Sequence, residues 1–349
     1  MSTRSAAPLR LAVIGAGLSS APHFRSLADL AAQVEVAWVL GRDLQRLQAA
    51  ALPPGARLST RLADALDDAS VQAVLVLTPP NTHLDIVRQA AQAGKHVLVE
   101  KPLEIDLVRA TALVEACEGA GVQLGVMLQH RQRPGAQAVA DLLRTRRLGP
   151  LVSVSASVRW WRPQSYYDVP GRGTLARDGG GVLITQAIHT LDSLFSFTGL
   201  PERVTALART SAAHRMEGED TAAALLQFAG GAVGVVLATT AAYPGFAERI
   251  ELNGALGTAT LASGAMKAEF IDGSSATAGA AQGTGGGADP MAFDHGAHRA
   301  VLQDFIHAVQ GGRAPAVSGR SALAVQRVIE AMMVSSHSGH SVAVEPAVN

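Results

Sequence analysis

Three short runs of apolar, β-forming residues each stop at a cluster that extends neither a strand nor a helix. Residues 11–14 (Leu-Ala-Val-Ile) end at Gly15-Ala-Gly17, and 73–77 (Ala-Val-Leu-Val-Leu) end at Thr78-Pro79-Pro80. Residues 96–99 (His-Val-Leu-Val) end at Glu100-Lys101-Pro102, and 34–40 and 122–128 have the same strand-like character. Helical patterns lie between them, at 85–93, closed by Gly94 beside Lys95, and at 104–119. Strands alternating with helices are βαβ units, and the parallel sheet they build is buried on both faces. Ligands of such sheets bind at the carboxyl ends of the strands, where these three clusters lie.

After Gly149-Pro150 the pattern changes. Residues 151–158 alternate with period two, as a half-buried strand does. Further strand-like runs follow at 203–207, 222–228, 232–239, 249–252 and 258–261, with one helix, 183–198, among them. A length of 349 residues suits two domains. The expected fold is α/β: a doubly wound parallel sheet over 1–128, then an α/β domain with a large, mostly antiparallel open sheet over 129–349. Residues 274–289 form a Gly/Ala/Ser tract that reads as a loop. Helices at 297–309 and 321–336 precede a short strand at 341–344, and these last segments are allowed to pack back on the first domain. No internal repeat is visible.

Composition narrows the function classes. Lys plus Arg and Asp plus Glu both number 29, a balance that argues against holding nucleic acid or anionic lipid by bulk charge. The single Cys117 excludes an intrachain disulfide framework and a zinc site built on several thiolates. No metal site is expected. The uncharged stretch 11–22 is interrupted by Gly15 and Gly17, unlike a signal peptide. The uncharged stretch 221–244 centres on Gly230-Gly231 between strand formers, so two strands and a turn explain it better than a spanning helix. A soluble, cytoplasmic protein is expected.

Several residues invite chemistry. Gly15-Ala-Gly17-Leu18-Ser19-Ser20 follows a strand and opens a helix, where small residues let the backbone approach a pyrophosphate. The second strand ends in Gly41-Arg42-Asp43, and Arg42 offers a planar cation suited to a 2′-phosphate, which favours NADP(H) slightly. Lys101 stands at a strand end, fixed by Pro102, where an ammonium can stabilise a developing oxyanion. The helix opened by Gly179-Gly180-Gly181 puts Thr185 and His189 one turn apart, with Gln186 and Asp192 each three residues from His189. Four of the six Trp and Tyr residues lie within 160–167, where Trp160, Arg162, Tyr166 and Tyr167 suit either sugar faces and polyol hydroxyls or an oligomer interface.

Taken together, Gly15-x-Gly17 with His23, Thr78-Pro79-Pro80-Asn81-Thr82-His83, Glu100-Lys101-Pro102, Gly179-Gly-Gly181 with His189 and Asp192, and Asp304-Phe305 form an ordered set. In order and spacing this set resembles the Gfo/Idh/MocA oxidoreductases, named for glucose–fructose oxidoreductase and inositol dehydrogenase. The resemblance covers nearly the whole chain. It implies a Rossmann domain binding NAD(P), followed by a domain whose open sheet carries the substrate site and oligomer contacts. Cofactor contacts then fall to Gly15, Gly17, Leu18, Ser19 and Arg42, to Thr78, Pro79, Asn81 and His83, and to Glu100, Lys101 and Gln129. Lys101 takes the place of the family's active-site lysine and His189 that of its catalytic histidine. Arg131, Arg162, Tyr166, Tyr167 and Arg172, with Lys101 and His189, are implied on the substrate side.

Thr185 departs from the pattern, because many members carry Asp there and others Asn. Thr can orient a hydroxyl but cannot hold charge, which leaves Lys101 and His189 as the acid–base pair. The expected activity is hydride transfer between nicotinamide and a secondary hydroxyl or keto group of a sugar, inositol or related polyol, by a homodimer or homotetramer. Two rivals keep the fold: a glycoside-cleaving enzyme that uses transient oxidation, and a nucleotide-binding regulator without catalysis.

Overall fold

A computed structural model describes residues 7–17, 20–281 and 294–345. The chain divides into two compact units: Met1–Leu128 with His295–Leu323, and Gln129–Asp294 with Ala324–Asn349.

The first unit is built on six strands: β1 (Leu9–Ile14), β2 (Val34–Leu40), β3 (Arg57–Ser59), β4 (Ala73–Val76), β5 (His96–Val99) and β6 (Leu124–Val126). They pair in parallel in the order β3-β2-β1-β4-β5-β6, the doubly wound arrangement whose strand order reverses between β1 and β4. The central strands are apolar on both faces, and Leu11, Val13, Leu75 and Leu98 pack with Val301, Leu302, Phe305 and Ile306. Those last four belong to the helix Gly296–Gly311, so a segment from near the chain's end completes this core. The packing is close enough that a Cβ on Gly125 would lie 3.0 Å from both Leu98 and Phe305. The helix expected from residue 104 starts instead at Leu107, because Asp106 caps it by accepting the Arg109 N–H at 2.7 Å. Glu104 is fully buried and takes the backbone N–H groups of Leu84 and Ile105 with the Arg109 guanidinium.

The second unit carries nine strands: β7 (Leu151–Arg159), β8 (Arg203–Arg209), β9 (Thr221–Gln227), β10 (Val233–Thr239), β11 (Arg249–Gly254), β12 (Gly257–Ala262), β13 (Ala265–Phe270), β14 (Ser275–Ala278) and β15 (Val342–Ala343). Their order is β14-β13-β12-β11-β7-β10-β9-β8-β15, antiparallel except where β10 meets β7. Burial alternates along β9 and β10, as period-two sequence requires. The 221–244 stretch is thus two strands and a turn. Among the described residues no helix is long and apolar enough to cross a membrane. The tract 274–289 is only partly a loop: Ser275–Ala278 pairs with β13, and residues 282–289 lie outside the described residues. The helix expected over 183–198 is present as a wide π turn, Leu183–Ala187, continuing into Ile188–Thr198. Most of its residues are buried, Thr185 and the last three being the exceptions.

Candidate active site

In the first unit the strand ends carry residues singled out in the sequence. Gly15 has φ 102°, and a Cβ there would sit 3.0 Å from the carbonyl carbon of Leu77 at the end of the neighbouring strand run. Only glycine fits both the backbone angle and that approach. A Cβ on Gly17 would meet nothing within 4 Å, so the loop leaves open room where a dinucleotide would approach. Leu18 and Ser19 lie outside the described residues. Ser20 donates its hydroxyl to the Gly17 carbonyl at 2.6 Å and leads into the helix Ala21–Asp29. This small-residue cradle fits a nicotinamide dinucleotide.

At the end of β2, Arg42 is exposed, and the Asp43 carboxylate accepts the N–H groups of Gln45 and Arg46 as a helix cap. Thr78, Pro79 and Asn81 form a half-buried turn after β4, braced by the Thr82 hydroxyl on Thr78 Oγ1 at 2.7 Å. His83 is enclosed, with Nε2 2.8 Å from the Thr78 carbonyl oxygen and Nδ1 3.1 Å from those of Pro102 and Leu103. Its imidazole ties two strand ends together, and burial lowers its pKa. Glu100 accepts a hydrogen bond from His23 Nε2 at 2.6 Å and one from the Lys101 backbone N–H at 3.0 Å. Burial alone would raise the Glu100 pKa; the His23 bond and the nearby charges of His23, Lys101 and His298 reverse that and hold it at about 2.

In the second unit the glycine triplet is packed against a strand lead-in. A Cβ on Gly181 would fall 1.7 Å from the Glu219 carbonyl oxygen. The Glu219 carboxylate accepts the N–H groups of Gly181 and Leu183, each at 2.9 Å, and so caps the helix that carries Thr185 and His189. Burial raises the Glu219 pKa against the pull of those bonds. The Thr185 hydroxyl donates to the Gly181 carbonyl at 2.6 Å. His189 is buried, and the His130 ring stacks on it with centroids 4.7 Å apart and planes 25° from parallel. His130 belongs to the turn Gln129–Gln132, whose Arg131 grips Asp192 through Nε at 2.6 Å and through Nη2. Burial pushes the Asp192 pKa up to about 6 in spite of Arg131.

Two residues of the aromatic stretch, Arg162 and Tyr166, meet at Gln186, three residues before His189; Arg172 joins them through the Tyr166 ring, and the Trp160 ring centroid lies 5.4 Å from the Arg162 guanidinium carbon. Gln186 donates to the Tyr166 hydroxyl at 2.9 Å and accepts from Arg162 Nη2 at 3.2 Å. Arg162 is fully buried, and Arg172 lies over the Tyr166 ring, 4.0 Å from its centroid. Tyr167 is buried, meets the Tyr166 ring edge to face with centroids 5.0 Å apart, and has its hydroxyl on Thr240 Oγ1 at 2.7 Å.

Known proteins match this chain in both units. Residues 9–128 match an oxidoreductase family with an NAD-binding Rossmann fold, and residues 136–260 match the GFO/IDH/MocA C-terminal domain. The chain belongs to the Gfo/Idh/MocA oxidoreductases. It is 30% identical to D-apiose dehydrogenase of Paraburkholderia graminis over 95% of this chain and 88% of that one. It is 29% identical to inositol 2-dehydrogenase 2 of Paenarthrobacter aurescens, over 95% and 97% of the two chains. The WlbA dehydrogenase of Bordetella pertussis, solved with NADH and UDP-GlcNAcA, superposes with a TM-score of 0.83 at 28% identity, covering 97% and 99%.

In this Gfo/Idh/MocA chain, residues that the sequence did not single out also brace the helix that bears His189. Glu219 and Gly218 are two: a Cβ on Gly218 would lie 2.6 Å from the Gly181 nitrogen, so two glycine segments cross where the carboxylate caps. The one available signal was the Gly218-Glu219-Asp220 sequence just before a strand. Nothing in the spacing foretold the stacking of His130 on His189.

Proposed function

We propose that this oxidoreductase transfers hydride between NAD(P) and a secondary hydroxyl or keto group of a sugar, inositol or related polyol. The observation that carries the reading is the company His189 keeps. On one helix, a buried imidazole is followed by a carboxylate held by Arg131 and preceded by an amide that binds a tyrosine hydroxyl and a guanidinium. Donors of this kind, with aromatic faces, suit a hydroxylated ring. Relatives named for apiose and inositol point the same way.

In the oxidative direction His189 accepts the hydroxyl proton and the Lys101 ammonium stabilises the alkoxide. The nicotinamide cofactor supplies the hydride acceptor. Thr185 keeps its proton on the Gly181 carbonyl and holds no charge, so it takes no part in a proton relay. Arg162, Tyr166 and Arg172 bind the substrate's polar groups. Arg131 is assigned to the substrate side as well, oriented by Asp192. Tyr167 shapes that wall from behind. The Gln129 amide oxygen is buried and has no hydrogen-bond partner among the described residues, which makes it an acceptor for the cofactor carboxamide. Arg42 favours NADP(H), since the one carboxylate beside it is committed to capping a helix.

The second unit's sheet supports a homodimer or homotetramer. Leu207, Leu225, Val233, Val235 and Leu237 stand 42–59% exposed on neighbouring antiparallel strands, an apolar face that a second copy would cover.

The test is turnover with a polyol panel followed at the NAD(P)H absorbance. Lys101→Met and His189→Ala are each expected to lower kcat by about 100-fold or more. Cofactor affinity in His189→Ala stays near that of the parent, and the parent binds NADPH more tightly than NADH. Unchanged turnover in either variant overturns the assignment, and a clear NADH preference overturns the role of Arg42.

A further inference from the structure

The first unit holds a buried cluster that the reaction above does not use. His23 and His298 are almost fully enclosed, and their rings meet edge to face with centroids 5.2 Å apart. Ligand-type atoms of His23, Glu100 and His298 all lie within 4.8 Å of one another. The carboxylate is divided: Oε1 takes the His23 bond at 2.6 Å, and Oε2 takes the Lys101 backbone N–H at 3.0 Å. The helix that bears His23 begins at Ser20, whose hydroxyl is bonded to Gly17 of the dinucleotide loop.

We propose that His23 is a positioning residue for Lys101, acting through Glu100. The imidazole fixes one oxygen of the carboxylate, the other oxygen fixes the Lys101 amide, and the point at which the lysine side chain leaves the strand is set. His298 holds the His23 ring in the plane that this bond needs. The helix that starts at the cofactor loop is thereby linked to the catalytic ammonium. A charged hydrogen bond of this kind is short and directional, which is what fixing an angle requires. The inference rests on the role given to Lys101 above.

Two substitutions separate donor from packing. His23→Phe keeps a ring against His298 and loses the donor; His23→Gln loses the ring and keeps an N–H that reaches the carboxylate. If His23 positions Lys101, the Phe variant loses about 10- to 100-fold in kcat, because displacing a reacting group by about 1 Å costs that much. NADH affinity, read by its fluorescence, changes by less than about threefold, and the Gln variant recovers most of the lost kcat. A purely structural role reverses the order, with Phe the milder change, and that result overturns the proposal. So does equimolar Co2+ uptake by the parent protein that His298→Ala abolishes, since the cluster would then be a metal site. Lys101→Met with full turnover defeats the reading beneath; loss of turnover there with parent-like His23→Phe defeats the positioning role alone.

Discussion

Two buried carboxylates, one in each unit, face cations and respond in opposite directions. Glu100 is held down at about 2 and Asp192 is pushed up to about 6. Burial opposes ionisation at both, with Asp192 fully enclosed and Glu100 nearly so. Asp192 has the single guanidinium of Arg131, whereas Glu100 has the His23 donor, the Lys101 amide and the electrostatic pull of His23, Lys101 and His298. Two neighbours in the second unit extend the rule. Asp220 is buried less deeply than Asp192, and its pKa is lowered, because the Ser211 N–H, the Ser211 hydroxyl and His214 Nδ1 outweigh that smaller burial cost. Glu219 has two backbone N–H groups as partners outside its own residue, and its pKa is raised. The supply of donors and charge outweighs desolvation at Glu100 and Asp220 and fails to at Asp192 and Glu219.

The sharpest way to break this comparison is to remove each partner. Arg131→Met leaves Asp192 buried with no cation, and a stranded interior charge costs about 3–5 kcal/mol. His23→Phe leaves Glu100, 15% exposed in its side chain, still holding the Lys101 N–H. Losing one hydrogen bond to a charged group there costs about 2 kcal/mol. Urea unfolding at neutral pH should therefore rank Arg131→Met as the more damaging change. Equal losses would mean that donor supply does not distinguish the two sites.

The pH dependence carries the same contrast with opposite signs. Glu100 is ionised more readily folded than unfolded, so its contribution is present above its ordinary 4.5 and is lost as pH falls through about 2. Asp192 keeps its proton longer when folded, so its contribution is present below 3.8 and is lost as pH rises through about 6. Each shift corresponds to ~3 kcal/mol across its window. Glu100→Gln should flatten the acid limb of stability, and Asp192→Asn should remove the fall between pH 4 and 6. Stability curves for the two variants that bend the same way would refute the opposite assignments.

What was legible in the sequence follows from how far each interaction reaches. Five strands of the first sheet were readable because they are largely apolar and stop at Gly, Pro or polar punctuation, all local signals; the sixth, β3, is a three-residue edge strand, Arg-Leu-Ser, with no such signal. β13 was missed: Ala-Met-Lys-Ala-Glu-Phe alternates, with Met266, Ala268 and Phe270 buried, but Ala, Lys and Glu also suit a helix. β14 has no large side chain and lies at the sheet edge within a Gly/Ala/Ser tract, so its pairing comes from β13 rather than from its own residues. The site residues were visible as motifs, while their partners were not. Glu100 meets His23 across 77 positions, and Gly181 meets Glu219 across 38. Contacts of that range are set by the fold and leave no spacing to read.

The smallest expected effect tests the same rule where no cation is involved. Glu219 binds Gly181 and Leu183 through two acceptor oxygens, and its raised pKa makes the neutral form inexpensive. Glu219→Gln mimics that neutral form but turns an N–H toward one of the two backbone donors, so one of the two bonds is lost. One neutral hydrogen bond contributes about 1 kcal/mol, and that is the loss expected in urea unfolding. Because Gly181 and Gly218 cross too closely for either backbone to shift far, the helix start should hold and kcat should stay within about threefold of the parent. A loss comparable with that of Arg131→Met would show that Glu219 is held as a strong anion, and that donor supply alone does not order these buried acids.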